Sequence, residues 1–199
     1  MIDSKKGVFV LVSAPSGGGK NAIIRGLLSR FPDAVQLVTT TTREKRPGEK
    51  EGVDYYYISK QAFQEKKDAD AFVEYNEYAG NWYGTQWEHL NAALGQYSIV
   101  FSQAEVHGKR HLDDLGIPHI AIFLLPENLD ILRKRIEERG GTTEESIKER
   151  LETAKAEIAA SNGYDLRIVN KDGYIEDTIT DIVSYLDTEH GLTVHIDKK

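Results

Sequence analysis

Between the apolar run VFVLVS and the segment NAIIRGLLSRF lies Ala14-Pro15-Ser16-Gly17-Gly18-Gly19-Lys20-Asn21, a spacing suited to holding phosphate. Consecutive glycines let backbone N–H groups turn onto one anion, and a helix start behind them adds its positive dipole end. Lys20 contributes a mobile point charge. The phosphate-loop pattern G-x-x-x-x-G-K-[ST] is departed from twice. Ala14 in place of the first glycine is a small change. Asn21 is the larger one, because it stands where a hydroxyl would ligate Mg2+, a metal that demands tight octahedral geometry. Its amide carbonyl is an oxygen ligand, but one bond further out. A plain strand-to-helix turn would explain the glycines, though not Lys20 directly after them.

A second group lies in TTTTREKRPGEKEGVDYYYIS. Arg43 and Arg46, three residues apart beside a Pro-Gly turn, can clamp another phosphate through bidentate bonds. Tyr55 and Tyr83 can donate hydroxyls to it. A third group is Arg133, Arg135, Arg139 and Arg150, for which a solvated helix face is the plain alternative. His107 and His111 have i,i+4 spacing, but no third metal ligand is evident.

These groups need a scaffold. Apolar strand-like runs (VFVLV, SIVFS, HIAIFLL, LRIVN) alternate with helical segments, which predicts a parallel sheet covered by helices. Residues 39–54 read as a loop, and YYYI, FVEYNEY and NWYGT as short aromatic strands of a β-rich insert. GTTEESIKERLETAKAEIAAS reads as a helix with a capping box at Thr142 and Glu145. Its stripe of Ile147, Leu151, Ala154 and Ile158 reads as packing.

The chain has 199 residues, 40% hydrophobic and 29% charged, enough for one substantial core. A formal net charge of −7 argues against nucleic acid as a general partner. No apolar run approaches the roughly 20 residues a membrane span needs. With no cysteine and no signal-like N-terminus, a cytoplasmic location is the expectation.

In order along the chain, TTREKRPGE, DY, FVEY and GNWYGT match the pattern of the guanylate kinase family, and the chain resembles that family from about residue 7 to 186. The resemblance implies an α/β fold: a P-loop parallel sheet flanked by helices, a small β-rich GMP-binding insert and a helical lid. It divides a single domain into a core (1–37, 89–138 and 161–199), a GMP-binding region (38–88) and a lid (139–160). It implies ATP and GMP as substrates, with Mg2+ accompanying ATP. Arg43, Arg46, Tyr55 and Tyr83 fall on the family's GMP-phosphate contacts. Thr39, Glu74, Thr85 and Glu105 fall on its guanine side, where a carboxylate can accept from guanine N1–H and N2–H2 together. Lys20, Arg43, Arg135, Arg139 and Arg150 would neutralise the moving charge, and Asn170 matches a position near adenine.

The family pattern carries aspartates where this chain has Gln103 and Glu105. Asn21 and Gln103 therefore change the same magnesium neighbourhood, whereas the GMP side is nearly complete. The leading reading is phosphoryl transfer from ATP to GMP, giving ADP and GDP, with an activity that the two changes could lower. The alternatives are a catalytically impaired module that binds GMP or a phosphorylated partner, and a nucleotide kinase with a drifted acceptor or donor.

Overall fold

The computed structural model describes residues 7–78, 80–138 and 143–193. In chain order the elements begin with β1 (Val8–Ser13), α1 (Lys20–Arg30), β2 (Ala34–Gln36), β3 (Thr40–Thr41), β4 (Tyr56–Tyr57) and α2 (Lys60–Asp68). Next come β5 (Phe72–Tyr78), β6 (Asn81–Gln86), α3 (Trp87–Gln96), β7 (Ile99–Gln103) and α4 (Val106–Asp114). The series closes with β8 (Ile120–Pro126), α5 (Leu129–Glu138), α6 (Glu144–Ala160), β9 (Leu166–Asn170) and α7 (Ile175–His190).

Five strands form a parallel sheet in the order β2-β7-β1-β8-β9. The alternation along β1 sends Val10 and Val12 to one face and Phe9 and Leu11 to the other. Both faces are covered, as a parallel sheet requires. Val10 and Val12 share a core with Ile23, Ile24 and Leu27 of α1 and Ile179, Ile182 and Leu186 of α7. Phe9 and Leu11 share the opposite core with Leu90 and Leu94 of α3 and Leu112 of α4.

A second sheet, β4-β3-β6-β5, builds the insert. It is not purely β: α2 runs through it, and Phe63 of α2 stacks on Phe72 at 4.3 Å and on Trp82 at 5.9 Å. The polar run at 39–54 is not all loop either. Thr40 and Thr41 pair with β4 on one side and β6 on the other, both fully buried. Burial of a threonine needs its hydroxyl satisfied. Thr40 Oγ1 accepts from Gln86 at 2.6 Å, and Thr41 Oγ1 donates to the Trp82 carbonyl at 3.0 Å.

Helices α5 and α6 pack through Leu132, Ile136, Ile147 and Ala154, with Leu151 at the edge. Ile158 joins Phe123 and Tyr164 instead. The N-cap of α6 is Thr143, whose Oγ1 accepts from the Ser146 N–H. Thr142 and Arg139 lie outside the described residues.

Candidate active site

The loop Ala14–Gly19 joins the buried strand β1 to α1, which starts at Lys20. Gly17 and Gly19 adopt φ of 91° and 90°, a backbone region that side chains rarely tolerate. The loop is braced from behind. Asn170 at the end of β9 donates through Nδ2 to the Gly18 carbonyl at 3.0 Å. Tyr164 donates to Ser13 Oγ at 2.9 Å, and Ser13 Oγ to the Ala104 carbonyl at 2.7 Å. Burial pushes the Tyr164 phenol up to about 12, partly offset by the Ser13 bond. Lys20 Nζ donates to the Ala14 carbonyl at 2.7 Å, which folds its ammonium back over the loop.

Lys20 and Asn21 line one wall of a cleft of about 1190 Å3. Thr39, Arg43, Arg46, Tyr55, Glu74 and Tyr83 of the insert line another part, and Gln103 and Glu105 close it at the end of β7. Residues separated by more than 80 positions thus share one cavity, as the sequence analysis expects. Arg25 of α1 also faces it, as do His107 and His111. Among the described residues no three His, Cys, Asp or Glu are grouped to hold a metal ion.

The insert carries an arginine–tyrosine cluster organised around Glu49. Arg43 makes a bidentate pair with Glu49, at 3.0 Å and 2.7 Å. The Arg46 backbone N–H and the Tyr57 hydroxyl also donate to Glu49, both at 2.8 Å. These bonds, Arg43 first, hold the Glu49 carboxyl down at about 2. Glu49 in turn raises the Arg43 guanidinium, and the neighbouring Tyr83 raises it further. The guanidinium lies 5.4 Å from the Tyr55 ring centre, and the Tyr55 and Tyr83 rings are 5.9 Å apart. The two tyrosines and Arg43 form one cluster.

Deeper in the insert, Thr85 Oγ1 donates to Glu74 Oε1 at 2.7 Å. Burial pushes the Glu74 carboxyl up, the Thr85 bonds pull it back, and the charge of Glu105 pushes it up again. Glu105 Oε2 accepts from Asn76 at 2.9 Å. Two carboxylates therefore face one polar recess, an arrangement that accepts adjacent N–H donors from a flat ligand edge.

On the other side of the loop is a cavity of about 430 Å3 lined by Gly17, Gly19, Arg135, Asn170 and Asp172. Arg135 sits there, not on the main cleft, held by Asp172 Oδ1 at 3.1 Å. The Asn170 Oδ1, buried beside this cavity, has no hydrogen-bond partner among the described residues. Arg150 is half-buried on α6 and lines neither cavity.

The fit to Mg2+ is poor on this chain's own side. Asn21 Oδ1, the oxygen that could ligate a metal, already accepts a hydrogen bond from Gln103 Nε2.

Sequence reasoning missed two groups. Glu49 stands inside the arginine motif, but the motif gives no sign that the carboxylate orders both arginines. Glu157 of α6 lies in the fields of Lys20 and Glu105: burial raises its carboxyl, Lys20 lowers it and Glu105 raises it. Its only sequence signal is the seven-residue spacing from Arg150, two helical turns along one face.

A family model described as guanylate kinase matches residues 6–189. A guanylate kinase of Prochlorococcus marinus subsp. pastoris is 35% identical over 177 residues, covering 89% of this chain and 95% of the relative. A guanylate kinase of Carboxydothermus hydrogenoformans is 36% identical over 184 residues, covering 92% and 89%. The crystal structure of guanylate kinase from Anaplasma phagocytophilum superposes with a TM-score of 0.69 at 28% identity, over 94% of this chain and 88% of that one.

Proposed function

The chain belongs to the guanylate kinase family, and from that premise we propose that the large cleft is where GMP receives the γ-phosphoryl group of ATP. The protein is an ATP-dependent nucleoside monophosphate kinase that yields ADP and GDP. The observation that carries the reading is the joining of two anion sites, one around Lys20 and one around Arg43, in a single cleft.

Phosphoryl transfer asks little covalent chemistry of the protein and depends on positioning and charge. In this reading Gly17, Gly18, Gly19 and Lys20 cradle the donor phosphates, with Ala14, Pro15 and Ser16 shaping the loop. Arg43, Arg46, Tyr55 and Tyr83 hold the GMP phosphate, whose anionic oxygen attacks without a general base. Glu49 keeps Arg43 in place before GMP arrives. Glu74 accepts from guanine N1–H and N2–H2, supported by Thr85, Thr39 and Glu105. Arg139 and Arg150 approach from the lid, the segment 139–160, when it closes over the phosphates. Arg135, Asn170 and Asp172 border the recess for the donor base. Mg2+ accompanying ATP would supply neutralisation of phosphate charge, and no residue of this chain is assigned to hold it. No observation favours a binding module without catalysis.

Incubation of the protein with ATP, Mg2+ and GMP, followed by nucleotide separation, tests the reading. ADP and GDP should form in equal amounts. Absence of GDP across a wide range of Mg2+ and Mn2+ would overturn it.

A further inference from the structure

Phosphate-loop kinases hold Mg2+ with the hydroxyl that follows the loop lysine and with an aspartate from a neighbouring strand. In this chain those two places are filled by Asn21 and Gln103. Gln103 is the last residue of β7 and pairs in register with Val12, which puts it level with the loop and beside the first turn of α1. The two amides bond to each other, Gln103 Nε2 donating to Asn21 Oδ1. The pair is neutral and engages the Asn21 oxygen in one internal hydrogen bond. What the pair has left is amide N–H donors, which complement phosphate oxygens, and neutral amide oxygens, which attract a cation less than a carboxylate does.

We propose that the Asn21–Gln103 amide pair makes donor binding in this chain nearly independent of Mg2+, by offering phosphate a neutral, donor-bearing wall in place of a metal seat. The proposal rests on the P-loop being the ATP site, as argued above. Two effects act in the same direction. Without a hydroxyl or carboxylate to ligate or attract the metal, MgATP gains little over ATP. Without a carboxylate at position 103, metal-free ATP, which carries two more negative charges than MgATP, is repelled less than it would be with an aspartate there. One unit charge about 6 Å from the phosphates, at an effective dielectric between that of a protein surface and water, changes affinity by roughly tenfold. Position 103 itself carries no charge, whereas Glu105, two residues on, lines the cleft, and Glu157 of α6 lies in the fields of Lys20 and Glu105.

The test is equilibrium binding of ATP without acceptor, so that no transfer occurs, by calorimetry in Mg2+ and in EDTA. The proteins are wild type, Asn21→Ser/Gln103→Asp and the isosteric Gln103→Glu. In wild type, removing Mg2+ should weaken ATP binding by less than about fivefold. In the double variant the loss should reach about tenfold or more, and Gln103→Glu alone should move the same way. Loss of wild-type affinity beyond about fivefold in EDTA would overturn the proposal, as would an unchanged ratio in both folded variants. If that occurs while GMP-dependent turnover persists, only this inference fails. If ATP binds in neither condition, the reading of the P-loop as the donor site fails with it.

Discussion

In the proposed reading Glu74 concentrates the chemistry of the acceptor site, because it would have to stay ionised in a place that resists ionisation. Burial raises its carboxyl above the ordinary 4.5, against the pull of Thr85. A raised folded value means that the empty protein binds this proton more tightly than the unfolded chain does, so stability falls as pH rises through that range. Glu74→Gln should therefore make the empty protein more resistant to urea at neutral pH, since the amide oxygen can still accept from Thr85. The same substitution removes the acceptor pair for guanine and should lower kcat/KM for GMP by about a hundredfold. Wild-type GMP affinity should fall as pH drops through the raised Glu74 value, and the variant should lose that dependence. A variant that is less stable and equally active would contradict this role.

Glu49 has the opposite sign. Its carboxyl is held at about 2 against an ordinary 4.5, so its contribution to stability is complete above pH 4.5 and disappears as pH falls through about 2. Urea midpoints measured from pH 6 to about 2 should show Glu49→Gln converging on wild type at the acid end. A constant gap across that range would assign Glu49 a role other than its pairing with Arg43. At this scale the grouping was legible, since Arg43, Arg46, Tyr55, Glu74 and Tyr83, singled out by the motifs, line one cleft. Glu49 was not, because a carboxylate near two arginines on a turn looks the same whether paired or solvated.

At the scale of elements, the long core strands and amphipathic helices were readable from their apolar runs, and the short pieces were not. Strand β3 is two threonines inside a polar run, strand-like only because β4 and β6 flank it. Helix α2 buries only Phe63, so no apolar stripe announces it. A close contact between α1 and α7 also escapes a one-letter reading. A Cβ on Gly26 of α1 would stand 2.1 Å from Ile179 Cδ1 of α7. Gly26→Ala should cost roughly 1–3 kcal/mol by overpacking, reduced by about 1 kcal/mol of helix propensity. Ile179→Val, which removes the clashing methyl, should recover part of that loss. Thermal unfolding of the two single variants and the double variant checks this; a stabilising Gly26→Ala would show that the helices have room to separate.

For the whole molecule, the central claim is that one sheet and one insert bring a donor-phosphate loop and a guanine-reading recess to the same cleft. Parallel strand order was the part least legible in the sequence. Placing β7 beside β1, and so Gln103 beside Asn21, depends on a crossover that no local pattern encodes. The direct measurement is kcat/KM for ADP formation with Mg2+ and ATP against GMP, dGMP, AMP, CMP and UMP in turn. Guanine acceptors should exceed AMP by about 10⁴-fold, because AMP leaves the Glu74 acceptor pair unmatched. Comparable rates with AMP and GMP would contradict the account, since the cleft would then transfer phosphate without reading guanine.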